Sequence, residues 1–279
     1  MGNLERQNLQ GQTLLITGAT RGIGLAIALE AAKDGANIAV LGKTKAPHAH
    51  LSGTIDTSVA AIEAAGGHAL GVQCDIRDEN AVEKAVEETV KEFGGIDILV
   101  NNASAIFLAG TTETPMKRYD LMHQVNGRGT FLCGQKCIPY LKKSTRGKIL
   151  TLSPPLDLQP DYFGPHVAYS IAKFNMSLCT LGWARELAQF KIAANSLWPR
   201  TIIDTAAVRN LLGGESVAKR GRHVSIVADA AYEILTRPTN FTGNFLIDEE
   251  ILREAGVTDL EKYSVTPGQE LLTDLFLPS

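Results

Sequence analysis

Long apolar runs are the first thing missing. No stretch of the 279 residues reaches the ~18 consecutive apolar positions that a bilayer-spanning helix needs, so membrane insertion is not expected. The start of the chain also lacks the charged, apolar and small-residue regions of a secretion signal. Cysteine is scarce: Cys74, Cys133, Cys137 and Cys179 form no CxxC pair and no dense secreted-type pattern, so they read as small buried hydrophobes in a reducing compartment. Metal ligands are equally thin. His48 and His50 flank an alanine in a loop with Pro47, without acids or thiolates nearby, and no metal site is expected. Excess positive charge is absent too. A formal net charge of -3, with no basic stripe, argues against a nucleic-acid partner. The last three residues, Leu277-Pro278-Ser279, are not a peroxisomal address. The expectation is a soluble cytoplasmic protein.

What is present is an ordinary globular composition, 44% hydrophobic, in which strand-like and helix-like stretches alternate. Strands are expected at Thr13 to Thr17, Asn37 to Leu41, Ala69 to Cys74, Ile96 to Val100, Lys148 to Leu152, Ile192 to Trp198 and Asn244 to Ile247. Helices are expected at Ile23 to Lys33, Ile55 to Ala65, Glu79 to Phe93, Pro115 to Leu141, Ala168 to Gln189 and Ile226 to Thr236. Within Glu79 to Phe93, Val82, Val86, Val90 and Phe93 recur at helical spacing, which lays one face on a sheet. Ile96 to Val100 is continuously apolar except at Asp97, as expected of a strand covered on both faces. The segment Arg200 to Val224, with Gly213-Gly214 and several basic residues, reads as an irregular mobile lid. With no linker, repeat or low-complexity tract, residues 1–279 read as one α/β domain: a Rossmann-type, doubly wound, parallel seven-stranded sheet with helices on both faces.

Two strings carry chemistry. Thr17-Gly18-Ala19-Thr20-Arg21-Gly22-Ile23-Gly24 follows a strand and opens a helix, where glycines let the backbone turn and approach a pyrophosphate held by free N–H groups. Tyr169-Ser170-Ile171-Ala172-Lys173 puts a phenol and an ammonium at i and i+4, on one helical face. A cation within about 4–6 Å favours the phenolate, so the pair can exchange a proton with a carbinol or carbonyl oxygen. A glycine turn for a dinucleotide and a proton-transfer pair together point to hydride transfer.

These two strings, with Asp75, Asn101-Asn102-Ala103 and Asn126 in this order and spacing, resemble the short-chain dehydrogenase/reductase family over essentially the whole chain. Pro47-His48, Gly53-Thr54-Ile55, Asn101 to Ile106, Ser153-Pro154-Pro155 and Phe241 to Phe245 are similar to its hydroxysteroid dehydrogenase-like 2 branch and bacterial relatives, some labelled citronellol/citronellal dehydrogenases. The resemblance implies Gly18, Thr20, Arg21, Gly22, Ile23 and Gly24 on the pyrophosphate and Asp75 beside the adenine. Asn101 and Asn102 would tie the fourth strand to its neighbours and border the nicotinamide ribose. Tyr169 would be the proton donor or acceptor, and Lys173 would tune it and hold the ribose. Asn126 would bend a long helix and support a water relay. A homodimer or homotetramer is implied as well.

Charge bears on the cofactor. NAD enzymes of this architecture tend to hold the ribose hydroxyls with a carboxylate after the second strand. Leu41-Gly42-Lys43-Thr44-Lys45 stands here instead, so Lys43, with Arg21, favours the 2′-phosphate of NADP(H).

Two departures from the family pattern matter. Leu156 stands where the family usually has a substrate-orienting serine. If the longer loop is an insertion, Ser153 takes the first position of the usual Ser-Ser pair and Pro154 the second. Ser153 is then a catalytic residue only if the proline pair alters the strand's exit; otherwise a backbone amide, water or another polar group assists Tyr169. Pro199-Arg200-Thr201 replaces a frequent Pro-Gly, with Thr201 and Thr205 as cofactor contacts.

Ile106, Phe107, Leu156, Leu158, Tyr162, Phe163, Ile202, Ile203, Leu211 and Leu212 would make a largely apolar substrate border. The expected activity is thus an NADP(H)-dependent oxidoreductase acting on a small hydrophobic alcohol/carbonyl substrate. The alternative is a cofactor-binding redox sensor or pseudoenzyme with little turnover.

Overall fold

The computed structural model describes residues 7–45 and 53–278. Pro47, His48 and His50 lie outside the described residues, as does Ser279. Seven strands, β1 (Thr13–Thr17), β2 (Asn37–Gly42), β3 (His68–Gln73), β4 (Ile98–Asn101), β5 (Lys148–Leu152), β6 (Ala193–Trp198) and β7 (Phe245–Ile247), form one sheet in the order β3-β2-β1-β4-β5-β6-β7. Every pairing is parallel. This is the doubly wound sheet expected. The strand order reverses between β1 and β4, which opens a crevice at their C-terminal ends.

The continuously apolar strands serve two cores at once. Leu14 and Ile16 of β1, Ile38 and Val40 of β2, Ile98 and Val100 of β4, and Leu150 and Leu152 of β5 face one side. There they meet α1 (Gly22–Ala32) and α10 (Ser225–Thr236). Leu15, Ala39, Leu99 and Ile149 alternate with them toward α3 (Glu79–Phe93), α5 (Thr130–Leu141) and α7 (Val167–Glu186). Period-two alternation therefore fills both faces of the central strands, whereas the edge strand β3 leaves His68 and Gln73 exposed. Asp78 caps α3 by accepting from the N–H groups of Asn80 and Ala81, and Gly94 ends it in the left-handed region. Helix α2 (Ile55–Ala64) covers the β3 edge.

Two segments differ from expectation. The helix expected from Pro115 to Leu141 is α4 (Met116–Met122), a π-helical stretch His123–Gly129 and then α5. The lid contains two short helices, α8 (Ala206–Leu211) and α9 (Gly214–Ala218), with Thr205 capping α8. A short α6 (Pro160–Phe163) precedes α7, and α11 (Asp248–Glu254) follows β7. After α11 the chain returns to the lid. Ile202 N–H donates to Leu272 O (2.9 Å), Leu272 N–H to Arg220 O (2.8 Å) and Asp274 N–H to Arg200 O (3.0 Å). Among the described residues no helix is long and apolar enough to cross a membrane.

Candidate active site

A cleft of about 570 Å³ lies where β1 to β4 end, lined among others by Gly18, Thr20, Arg21, Lys43, Asp75 and Asn102. The glycine turn is fixed from β4. Asn102 Nδ2 donates to the carbonyls of Thr17 (2.9 Å) and Gly18 (3.1 Å), while Thr17 Oγ1 accepts from the N–H groups of Asn102 and Ala103 (both 3.0 Å). Gly24 is required by this packing, because a Cβ there would stand 2.5 Å from Asn102 Nδ2 and 2.7 Å from Gly18 O. Gly22 is required by its backbone, at φ +57. A Cβ on Gly22 would meet only Thr205 Cγ2, at 3.8 Å, so the backbone side of the turn is open to the cleft. Gly22, Ile23 and Gly24 begin α1, whose first N–H groups have no helical partners. These features fit a dinucleotide pyrophosphate.

At the other end of the cleft, Asp75 is clamped by Arg77. The Nε and Nη2 atoms of Arg77 donate to the carboxylate at 3.0 and 2.6 Å, and the Arg77 N–H adds a bond of 3.1 Å. Lys43 Nζ lies 3.7 Å from the same carboxylate. The Arg77 hydrogen bonds hold the Asp75 carboxyl down at about 2. Arg21 reaches the other way: its Nη2 donates to Thr44 Oγ1 (3.1 Å) and to Gly53 O (2.9 Å), joining the glycine turn to the loop after β2. Lys43 keeps its side chain 60% exposed, so of the two cations it is the freer to meet a phosphate. Arg77 was not foreseen; its place two residues beyond Asp75 was the available signal.

Helix α7 carries Tyr169 and Lys173, both buried. Lys173 Nζ donates to Leu152 O at the end of β5 (2.6 Å), contacts Met176 Sδ (3.4 Å) and lies 4.9 Å from the Trp198 ring centroid. Burial pushes this ammonium down to about 7, against a weaker upward pull from the Asp274 carboxylate. The expectation of an acidified phenol is not met in this arrangement. Burial, reinforced by Asp274, raises Tyr169 well above the ordinary phenol range, so its proton stays on. Asp274 itself is half-buried, and desolvation pushes its carboxyl up to about 7. Its neighbour in charge, Asp248, is fully buried and raised to about 6 by desolvation, with the N–H groups of Arg200 and Glu249 on its Oδ1.

Asn126 sits in the π-helical stretch and is fully buried. Its Oδ1 accepts from Ala105 N–H (2.7 Å) and its Nδ2 donates to Ala105 O (3.0 Å). Ala105 and Ile106 line the dinucleotide cleft. They also pack against the apolar cluster that contains Tyr169. Ser153 is buried, and its hydroxyl is 2.8 Å from that of Ser196, which in turn donates to Thr180 Oγ1 (3.0 Å). The loop after β5 is anchored by Ser177 Oγ donating to Pro154 O (2.7 Å). Thr201 Oγ1 is buried and has no hydrogen-bond partner among the described residues, and Thr201 is not among the residues that line the cleft.

The apolar border is divided. Ile106, Phe107, Leu156, Tyr162 and Phe163 pack on the Tyr169 cluster. Leu158 is 71% exposed, Ile203 belongs to the core under α1 and α10, and Leu211 lines the dinucleotide cleft. The lid cations have acidic partners: Arg209 with Asp204, Lys219 with Glu215, Arg220 with Glu270 and Arg222 with Glu249. Trp198, Asp274 and Phe276 at the site were missed, and only the apolar triplet Leu275-Phe276-Leu277 hinted at them. Cys74, Cys133 and Cys137 are buried and Cys179 is partly so; all four are free thiols.

A rat (Rattus norvegicus) relative, hydroxysteroid dehydrogenase-like protein 2, is 58% identical over 96% of this chain and 51% of its own length. A crystal structure from Xanthomonas campestris is 54% identical, with a TM-score of 0.95, over 98% of this chain and 100% of that one. A short chain dehydrogenase structure from Mycobacterium thermoresistibile is 51% identical, with a TM-score of 0.93, over 98% and 97% of the two chains. The chain spans between about half and just under two thirds of the length of the curated relatives it matches. The short chain dehydrogenase family model matches residues 12–215. The chain therefore belongs to the short-chain dehydrogenase family of oxidoreductases, whose members bind a nicotinamide cofactor.

Proposed function

We propose that the protein is an NADP(H)-dependent oxidoreductase that interconverts a hydrophobic alcohol and its carbonyl compound, with Tyr169 as proton donor and acceptor. The observation that carries this reading is the shared wall of Ala105 and Ile106, which borders both the dinucleotide cleft and the cluster around the phenol. Gly18, Thr20, Arg21, Gly22, Ile23 and Gly24 would hold the pyrophosphate end, Asp75 the adenine end, and Asn102, Lys173 and Thr201 the nicotinamide end. When bound, the dinucleotide supplies or accepts the hydride.

The chain's own residues manage the proton and the space. Burial favours the protonated form of Tyr169, which can donate its proton to a carbonyl oxygen; in the reverse direction it is the phenolate left by that donation, not the neutral phenol, that takes the proton of the alcohol. Lys173, held by the Leu152 carbonyl, compensates charge as the phenol loses its proton. Asn126 spends its amide on Ala105 and so fixes the shared wall. Phe107, Phe163 and Phe174 make the surroundings of Tyr169 apolar, which favours a hydrophobic substrate. NADP(H) is favoured by Lys43 at the end of β2, with no carboxylate in Leu41 to Lys45.

The test is NADPH oxidation over a panel of apolar and sugar carbonyls, with Tyr169→Phe as the control. Loss of about 10²- to 10⁴-fold in kcat with dinucleotide binding retained is expected. A Tyr169→Phe enzyme of full activity, or activity confined to hydrophilic sugars, refutes the reading. The engagement of the Ser153 hydroxyl by Ser196 favours a second reading, a dinucleotide-binding sensor with little turnover. Binding of NADPH with no turnover on any carbonyl selects it. Cytoplasmic residence and homo-oligomerisation are part of the proposal. Phe131 on α5 and Leu178 and Leu181 on α7, each about half exposed, support self-association, which sedimentation measures.

A further inference from the structure

Tyr169 is enclosed by the last described residues of its own chain. The Phe276 ring stacks on that of Tyr169 with centroids 6.0 Å apart, meets Phe174 edge-on at 5.5 Å and lies 5.7 Å from Trp198. Phe276 and Tyr169 are each only 5% exposed. Leu275 and Leu277 pack on the same cluster. An apolar carbonyl compound bound at the phenol and the Phe276 side chain therefore claim the same space.

The segment is attached unevenly. Its root is stitched to the lid by backbone hydrogen bonds at Leu272 and Asp274 and by the bridge between Thr201 and Thr273. Beyond Asp274, the indole N–H of Trp198 donates to Leu275 O (2.8 Å), and the rest of the attachment is apolar packing. Phe276 has φ +68, in the left-handed region that a bulky residue rarely adopts. A firm root thus carries an apolar tip whose unfavourable backbone is held by the burial of one ring. Withdrawal of that ring relaxes the backbone, and an incoming ring restores the lost burial.

Resting on the hydride-transfer reading, we propose that Phe276 is the specificity-determining residue of the substrate site: its ring holds the place of the substrate's apolar body, and Leu275–Leu277 swings out about Asp274 to admit it. The substrate class is an alcohol or carbonyl compound with an aromatic or alicyclic ring close to the reacting carbon. Such a ring can repeat the stacked and edge-on contacts that Phe276 makes.

The test uses the full chain and N-benzylformamide, an unreactive mimic of an aromatic aldehyde, titrated calorimetrically with and without NADP+. Phe276→Ala is expected to bind it at least tenfold more tightly than the wild type, because no side chain competes. Phe276→Trp is expected to bind it several-fold more weakly. In the wild type, saturation with the probe should accelerate hydrogen exchange at Leu275, Phe276 and Leu277 while Leu272 and Asp274 stay protected. Equal affinity in all three proteins, no binding to any of them, or an unchanged exchange pattern overturns the proposal. If Phe276→Ala does not fold, the wild-type exchange pattern decides. The two readings fail separately. Probe affinity that follows residue 276 without any carbonyl turnover defeats only the hydride-transfer reading, whereas turnover of ring-bearing aldehydes indifferent to residue 276 defeats only this one.

Discussion

Gly22 and Gly24 sit two residues apart in one turn, yet substitution by alanine should affect them differently. At Gly24 the new methyl would stand 2.5 Å from Asn102 Nδ2, 2.7 Å from Gly18 O and 3.1 Å from Ala19 Cα. Two of those atoms are backbone, and the Asn102 amide is held by its bonds to Thr17 O and Gly18 O. Displacing that amide forfeits two hydrogen bonds at about 1 kcal/mol each. Overpacking adds roughly 1–3 kcal/mol, so Gly24→Ala should cost about 3–5 kcal/mol. At Gly22 the methyl has room, its nearest neighbour being Thr205 Cγ2 at 3.8 Å. There the cost is that of the left-handed backbone, about 1–2 kcal/mol. Urea unfolding of both variants measures the difference, and melting should separate them in the same order at about 2–4 °C per kcal/mol. NADPH titration should show the reverse emphasis for Gly22→Ala, with affinity lost from a chain that still folds. Equal destabilisation of the two variants, or a Gly24→Ala protein as stable as the wild type, would falsify the packing argument.

Lys43→Glu should lower the ratio of kcat/KM for NADPH over NADH at least tenfold, about 1.4 kcal/mol; an unchanged ratio removes Lys43 from the phosphate. Asp274→Asn tests the half-buried carboxyl beside Tyr169 and Lys173. Its folded value of about 7 exceeds the unfolded value of about 3.9, so the folded state binds the proton more tightly, and the destabilisation grows from pH 4 to 7 and is full above 7. The variant should therefore be more stable than the wild type at pH 8, by roughly 1–3 kcal/mol, and the two should converge near pH 4. A difference independent of pH in urea midpoints contradicts this. Ser153→Ala should cost about 1 kcal/mol of stability through the bond to Ser196 and leave kcat within a few-fold. A fall in kcat of about 10²-fold or more instead assigns the Ser153 hydroxyl to the substrate oxygen.

Sequence made the sheet legible because its central strands are buried on both faces. Leu14-Leu15-Ile16 and Ile98-Leu99-Val100 serve both cores, and such runs cannot belong to a half-exposed sheet. The cofactor end was legible for a related reason: Gly18 and Gly22 act through positive φ and Gly24 through close approach, and each requirement leaves a glycine in the chain. The pair Tyr169 and Lys173 was legible as a spacing, but its electrostatics was not. Their ionisation is set first by burial and then by Asp274, which is remote in sequence and reaches the site because Leu272–Asp274 pairs with the segment after β6. The same pairing explains why Phe276 escaped notice. Three apolar residues near a terminus show no periodicity, and their place beside Tyr169 is fixed by main-chain hydrogen bonds to Arg200, Ile202 and Arg220, which any residue type can make. The site thus joins two kinds of element. The residues that would hold the dinucleotide are specified locally, whereas the ring that covers the phenol is placed by long-range backbone contacts. The covering segment can therefore change its side chains without disturbing the turn or the strands, so residue 276 can alter substrate choice while the dinucleotide end stays the same.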